Sequence, residues 1–422
     1  MPAADTSDLS HIRSLTVYLH GVRIGVIHRL VGDRQLYAFD QDYVDDPDRD
    51  TLSLSFKGQS GQLVTVPRPF SARVPPFFSN LLPEGHLRSY LADRAGVKPG
   101  REFFLLAALG ADLPGAVTVQ PDDAEYDEQF PGRDQPAADT RQQADAPLRF
   151  SLAGVQMKFS AVSETAGGLT IPADGWGGSW IVKLPSMRFT AVPENEFVML
   201  TLARAIGISV PDIHLVETHQ IAGLPSDVGR LEGKCLAIER FDRSLDHKRI
   251  HTEDFAQVFG LFPNDKYRHR SYANLAAVLR AEAGEEDTDE FVRRIVFSVL
   301  IGNADMHLKN WSLLYPDRRT PTLSPAYDLV STVPYLPDDK LALTLGGERN
   351  LQRITPDQMR RFSDAAGLPM SPIWETVCRT VEDTYAAWQR LYERALLPAD
   401  IETRIDRHLE MVVYSFTGEN NS

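Results

Sequence analysis

Residues 297–315 read FSVLIGNADMHLKNWSLLY. An apolar run, Phe297 to Ile301, stops, and Asn303, Asp305, His307, Lys309 and Asn310 follow within eight positions before an apolar run resumes. Such side chains resist burial unless something pairs with them. Upstream, DEFVRRIVFSVLIGN places Phe291, Ile295, Val296, Val299 and Leu300 at the spacing of a core-facing helix. Gly302 can end that helix. The polar residues then fall on a loop leaving a rigid element, a place where chemistry is commonly carried.

Asp305 and Asn310 stand in a D-x-x-x-x-N pattern. Protein kinases use this spacing in the catalytic loop, where the Asp orients the acceptor hydroxyl and the Asn holds Mg²⁺. Both groups must face one small volume, and a short loop fixed at both ends achieves that. Alone the pattern is weak, because many loops contain it by chance. Three further features join it. Asp328 lies in SPAYDLVS among apolar neighbours, where a carboxylate is costly without a partner or metal. Lys183 lies inside an apolar strand, SWIVKLP; a lone strand lysine usually snorkels to solvent, but this one also resembles the lysine that pairs with the nucleotide phosphates. Glu194 and Glu196, in PENEFVML, open a helix where acids suit the dipole, and either can reach Lys183. Lysine on a strand, acid on a helix, strand into hinge, then helix, D-x-x-x-x-N and Asp is the order of a bilobal kinase.

The bulk numbers are compatible. The 422 residues suit several domains, and 43% hydrophobic with 24% charged residues is ordinary for a globular protein. A net charge of −14 argues against the whole chain acting as a free-standing nucleic-acid binder. Two cysteines, Cys235 and Cys378, form no disulfide or metal pattern, which fits a reducing cytosol. The N-terminus has no signal-peptide core and no run is long enough to span a membrane. Along the chain, LTVYLHGVRIGVIHR predicts a hairpin turning at His20-Gly21, and QLYAFD and TLSLSF predict strands. FFSNLLPEGHLRSYLADRAGV predicts a helix ending at Gly96, with Leu82, His86 and Tyr90 on one face. Residues 121–147 are acidic and poor in large apolar groups, which predicts a solvated tether. CLAIERFDR predicts a strand entering a turn, and helices are expected over 252–261, 271–282, 287–302 and several segments from 355 to 416, one of them opened by the capping box Thr355-Pro356-Asp357-Gln358.

With these segments the chain resembles the HipA family of serine/threonine kinases, the toxins of bacterial toxin–antitoxin modules. The resemblance runs through FFSNLLPEGHLRSYLADRAGV, RFSLAGVQMKFSA, WIVKLP, ENEF, AIERFDR, EDFAQVFG, IGNADMHLKNWSLL and SPAYDLVST. It implies an α+β fold: a bilobal protein-kinase-like core, with a small β-rich lobe (148–260) and a large α-helical lobe (261–416), behind an N-terminal α/β subdomain (12–120) and the 121–147 linker. It implies Asp305 as the catalytic acid–base residue, Asn310 and Asp328 as Mg²⁺ ligands, and Lys183 on the ATP phosphates with His307 nearby. Glu239, Arg240 and Phe241 would form the adenine-binding hinge. The loop Ser151, Leu152, Ala153, Gly154, Val155, Gln156, Met157, Lys158 would cover the phosphates. Ser151 matches the autophosphorylation site, whose added charge beside ATP would switch the kinase off. The implied partners are a small helix-turn-helix antitoxin resembling HipB, through which alone DNA is contacted, and a protein substrate such as an aminoacyl-tRNA synthetase; no membrane is involved. The sequence departs from other kinases in having one loop glycine, Gly154, no D-F-G at Asp328, and no arginine before Asp305. A small-molecule kinase of aminoglycoside type and a catalytically idle co-repressor are the rival expectations.

Overall fold

His20 and Gly21 both take left-handed backbone, with φ of 50° and 78°, and close the first hairpin. That is the two-residue turn whose twist suits an antiparallel pair, and it sits where the sequence predicts. In the computed structural model, the described residues are 12–66, 68–122, 158–163, 169–171, 178–186, 188–224, 232–244, 246 and 248–418. The loop Ser151–Met157 and the 121–147 tether, apart from its first two residues, lie outside them.

The hairpin joins β1 (Ser14–Leu19) to β2 (Val22–Leu30), followed by β3 (Arg34–Phe39). With β4 (Phe70–Ser71) and β5 (Val117–Pro121) they form an antiparallel sheet in the order β4-β3-β2-β1-β5. One face buries Leu15, Val17 and Ile27 against Phe77, Phe78, Leu105 and Leu106. These come from the helices of this region: α1 (Gln41–Asp45), α2 (Pro76–Asn80), α3 (Gly85–Arg94) and α4 (Glu102–Leu109).

Two local expectations are corrected here. TLSLSF does not extend as a strand; Leu54–Phe56 is a 3₁₀ turn. Ser53 caps it and, with the Leu54 N–H, bonds the buried carboxylate of Glu253, so a long-range partner overrides the alternation. The predicted single helix from Phe77 is two helices, because Pro83 cannot donate to the ladder. The break leaves Asn80–Glu84 as an irregular corner.

The second sheet contains β6 (Lys158–Ser163), β7 (Leu169–Thr170), β8 (Trp180–Lys183), β9 (Ile213–Glu217), β10 (Ile221–Ala222) and β11 (Lys234–Glu239), in the order β10-β7-β6-β8-β11-β9. Its strand period of two divides the side chains. Phe159, Ala161, Val182, Cys235 and Ala237 join the apolar cluster of the first sheet. Leu236 and Ile238 join a second cluster with α5 (Val192–Ala205). The N-terminal region and the β-rich lobe therefore share one core.

The second cluster fills the helical lobe: α6 (Phe255–Val258), α7 (Tyr272–Glu282), α8 (Glu285–Leu300), α9 (Pro356–Ala366), α10 (Met370–Arg390) and α11 (Ala399–Thr417). A short sheet, β12 (His251–Asp254), β13 (Ser312–Tyr315) and β14 (Thr322–Leu323), carries the connections around the 303–310 loop. The predicted helix at 252–261 is thus shorter than expected: residues 252–254 end β12 and only the single turn of α6, Phe255–Val258, is helical. Helix α8 matches its expectation: Phe291, Ile295, Val296, Val299 and Leu300 are buried, and Gly302 ends it with φ 70°. The capping box at Thr355 is formed as predicted. Among the described residues, no helix is long and apolar enough to cross a membrane.

Candidate active site

Lys158 on β6 and Lys183 on β8 lie directly opposite each other on paired strands. Both are buried, and like charges in that register repel. Two carboxylates answer them. Lys183 Nζ bonds Glu196 of α5 and Asp328 of the helical lobe, and Lys158 Nζ lies 3.2 Å and 3.3 Å from the two Asp328 oxygens. Two lysines and two acids make a neutral cluster. Burial works against each charge, yet Asp328 and Glu196 together hold Lys183 protonated above its ordinary range. Burial also opposes the Asp328 carboxylate, but Lys158 and Lys183 overcome it and hold it far below the usual carboxylate range. Of the two acids the sequence left open, Glu196 makes the pair. It is buried on the face of α5 that carries Met199, Leu200 and Ala203, whereas Glu194 is half-exposed.

Asp328 takes left-handed backbone, φ 54°, which is costly for a side-chain-bearing residue and least so for Asp and Asn. The segment after it is pinned. Gly302 C=O accepts from the Thr332 and Val333 N–H groups, Thr332 Oγ1 accepts from Ala304 N–H, and Asn195 Oδ1 accepts from Ser331 N–H. Asn303 bridges the two acidic segments: its Oδ1 accepts from the Asp305 N–H at 3.1 Å and its Nδ2 donates to the Asp328 carbonyl at 3.4 Å. The polar burst around 303–310 is therefore a fixed loop.

Within it, Asn310 Nδ2 donates to the Asp305 carbonyl at 2.8 Å, closing the D-x-x-x-x-N turn on itself. Asp305 is exposed to solvent. Its packed surroundings still push the carboxyl up to about 6, against a hydrogen bond from Tyr267. His307 is buried, with Nδ1 lacking a hydrogen-bond partner among the described residues. Burial, and then Lys266, lower it to about 3, so it is neutral. Lys309 lines the cleft, but its charge is already committed. It donates to the Asn80 carbonyl at 2.8 Å and pairs with Glu84 and Asp254 at 3.3 Å each, anchoring the loop to neighbouring elements.

A cavity of about 810 Å³, its open mouth included, runs from the lysine cluster to the hinge. Ile181, Ile238, Phe241 and Tyr327 supply apolar wall, and Asn80, Leu81 and Pro114 of the N-terminal region close one side. Glu239, Arg240 and Phe241 all line it. The Arg240 guanidinium itself is committed elsewhere, forking onto Asp242 at 2.8 Å and 2.7 Å. Arg243 pairs with the same Asp242 and with Asp112, and Arg249 reaches Asp112 at 3.4 Å. The hinge is thus braced by an ion cluster shared with the N-terminal region.

The cavity and its polar end fit a nucleotide and a hard cation. An apolar slot beside a hinge suits a purine, buried lysines suit phosphates, and the Asn310 and Asp328 oxygens suit Mg²⁺, which usually takes one or two protein ligands together with substrate phosphates. Among the described residues there is no group of three or more His, Cys, Asp or Glu that would form a closed metal site.

Residues 150–388 match the model of the HipA-like C-terminal domain, and residues 15–120 that of the HipA N-terminal domain. The chain belongs to the HipA family. A candidate kinase of Sinorhizobium fredii, Y4dM, is 50% identical over 94% of this chain and 97% of its own length. The serine/threonine-protein kinase toxin HipA of Shewanella oneidensis is 28% identical over 73% of this chain and 75% of its own. A solved structure from Shewanella oneidensis MR-1, of HipA with HipB and operator DNA, superposes with a TM-score of 0.70 at 23% identity, covering 96% of this chain and 98% of that one. The HipA fold is shared along the whole length, and the chain is an α+β kinase of the HipA toxin–antitoxin family.

Several residues of this HipA site escaped the sequence. Asn303 was in plain view, but only its two bonds give it a task. Asn80 and Glu84 reach the loop from more than two hundred positions away. Tyr267 is an ordinary tyrosine until its hydroxyl is seen on Asp305.

Proposed function

We propose that the chain is an ATP- and Mg²⁺-dependent protein serine/threonine kinase that acts as the toxin of a toxin–antitoxin pair. The observation that carries it is the meeting of Lys183, Glu196 and Asp328 between the lobes, with Asn303 tying Asp328 to the Asp305–Asn310 loop. Lys183 and Lys158 bind the phosphates of ATP, the hinge Glu239–Phe241 takes the adenine, and Asp305 aligns the acceptor hydroxyl and receives its proton. The acceptor oxygen bonds the γ-phosphorus, the bond to the β–γ bridging oxygen breaks, and ADP leaves. Asn310 and Asp328 would hold Mg²⁺, which neutralises phosphate charge when bound. His307, neutral and two positions from Asp305, is the proposed neighbour of the phosphates. Catalysis is mostly positioning and electrostatics.

Ser151 is the proposed autophosphorylation site on sequence resemblance. A small helix-turn-helix antitoxin is the proposed partner, because the HipA structure that superposes on this chain was solved with HipB and operator DNA. A translation component such as an aminoacyl-tRNA synthetase is the proposed target class, and the cytosol the proposed compartment. The test is incubation with γ-labelled ATP and Mg²⁺, followed by mass spectrometry. Phosphate on Ser151 in the wild type and none in Asp305→Asn supports the assignment. Absence of both ATP binding and label in unmodified wild-type protein would refute it.

A further inference from the structure

Tyr267 has no part in the scheme above. It follows the 3₁₀ turn Pro263–Asp265 and leans over the catalytic loop. Its hydroxyl donates to Asp305 Oδ1 at 2.8 Å, and its ring stands edge-on to His307, with centroids 5.1 Å apart and planes at 83°. The residue is 41% exposed, so solvent does not force the ring to stay. Its backbone, in contrast, is fixed next door. The Lys266 carbonyl accepts from the Leu308 N–H at 3.2 Å, and Lys266 Nζ pairs with Glu84 at 2.8 Å. A fixed backbone and a partly exposed ring, held by His307, by the Lys266 ammonium 5.6 Å from its centroid and by one hydroxyl bond, make a side chain that can leave by rotation alone, without moving the loop.

A hydroxyl on the carboxylate of a phosphotransfer base stands where an acceptor hydroxyl has to stand. We propose that Tyr267 is a gate on the acceptor site: its hydroxyl takes the acceptor's place on Asp305 in the resting chain, and a serine or threonine side chain must displace it to react. The gate rests on the kinase assignment above. It has two consequences. Acceptors bind only the fraction of molecules in which the ring has swung away, so their apparent affinity is reduced by that fraction. Water meets the same obstacle, which restrains futile hydrolysis of ATP.

The test compares full-length wild type with Tyr267→Phe, which keeps the ring against His307 and loses only the hydroxyl. The probe is a synthetic peptide mixture degenerate around one central serine, with saturating ATP and Mg²⁺. A hydrogen bond to a charged group at a partly exposed site supports a fall in acceptor KM of about 3- to 10-fold in the variant, with kcat within about twofold. ATP hydrolysis without peptide rises by a similar factor. An unchanged KM overturns the gate. So does a lower kcat at unchanged KM, which would make Tyr267 a positioning residue of the transition state. Phosphate found on Tyr267 itself would make it an acceptor and overturn the gate as well. In all three cases wild-type phosphotransfer is intact and the kinase assignment stands. Loss of ATP binding and phosphotransfer in both proteins sinks the kinase assignment, and the gate with it.

Discussion

Glu196 is the residue on which the lysine cluster balances. With it, two ammonium groups face two carboxylates; without it, Asp328 alone faces Lys158 and Lys183, all three largely withdrawn from water. Removing one partner of a buried ion set leaves an uncompensated charge. Glu196→Gln, nearly isosteric, is therefore expected to destabilise the chain by about 2–4 kcal/mol, read as a lower urea midpoint at unchanged slope. Saturating ATP should recover part of that loss, because phosphate supplies the missing negative charge. A midpoint within error of wild type would mean that Lys183 is neutralised some other way. The choice of Glu196 over Glu194 was within reach of the sequence. The two lie two positions apart and so on nearly opposite sides of α5, and only Glu196 is in phase with the buried Met199, Leu200 and Ala203. Lys183 and Asp328 were legible for the complementary reason that a charge inside an apolar run demands a partner. Tyr267 was not legible, since an exposed aromatic carries no such demand.

At the scale of elements, the turn from α8 into the catalytic loop and the strand β12 each carry a testable constraint. Gly302 has φ 70°, and a Cβ there would lie 2.5 Å from Val333 Cγ2 and 3.0 Å from His408 Cδ2. Left-handed backbone and crowding act together, so Gly302→Ala is expected to cost about 2–4 kcal/mol. It should also lower kcat more than the KM for ATP, because Val333 belongs to the segment that sets Asp328 against Asp305. Differential scanning calorimetry and steady-state kinetics would check both parts. On β12, Glu253 is buried and accepts from Ser53, Leu54 and Tyr315. Burial outweighs those donors and raises its carboxyl from 4.5 to about 7. The folded state then holds a proton that the unfolded chain has released. Its stabilising contribution is full below about pH 4.5 and disappears as pH rises through about 7. Wild-type stability should fall by on the order of 2–3 kcal/mol from pH 5 to 8 on this account, and Glu253→Gln should flatten that part of the profile. Urea melts across the range would show it, and an equal slope in both proteins would exclude Glu253 as its source. These elements also mark where the sequence misled. TLSLSF alternates like a strand, but Ser53 and Leu54 answer to Glu253, some two hundred positions later, and local pattern carries no trace of that bond.

For the whole molecule, the N-terminal region is structurally part of the kinase. Its apolar cluster continues into β6, β8 and β11. Asn80 and Glu84 hold Lys309 of the 303–310 loop, Pro114 lines the cavity, and Asp112 braces the Arg240–Arg243 segment. Asp112 is the sharpest probe of this union. Asp112 and Asp242 together face Arg240, Arg243 and Arg249. Taking Asp112 away leaves three guanidinium groups on one carboxylate in a place with little water. Breaking a buried ion set in this way is expected to cost about 3–5 kcal/mol. Because Arg240 and Arg243 flank Phe241, the damage should reach the adenine end of the cavity. Asp112→Asn is therefore expected to weaken ATP binding by roughly tenfold, a loss of about 1.4 kcal/mol, although the residue touches no part of the proposed phosphate site. Calorimetric titration with a non-hydrolysable ATP analogue measures the loss of affinity. A melt followed by both tryptophan fluorescence and far-ultraviolet circular dichroism measures the loss of stability, and one coincident transition is expected if the shared core couples the two regions. Unchanged nucleotide affinity alongside a separate early transition of the N-terminal region would show instead that the hinge holds its shape without that brace.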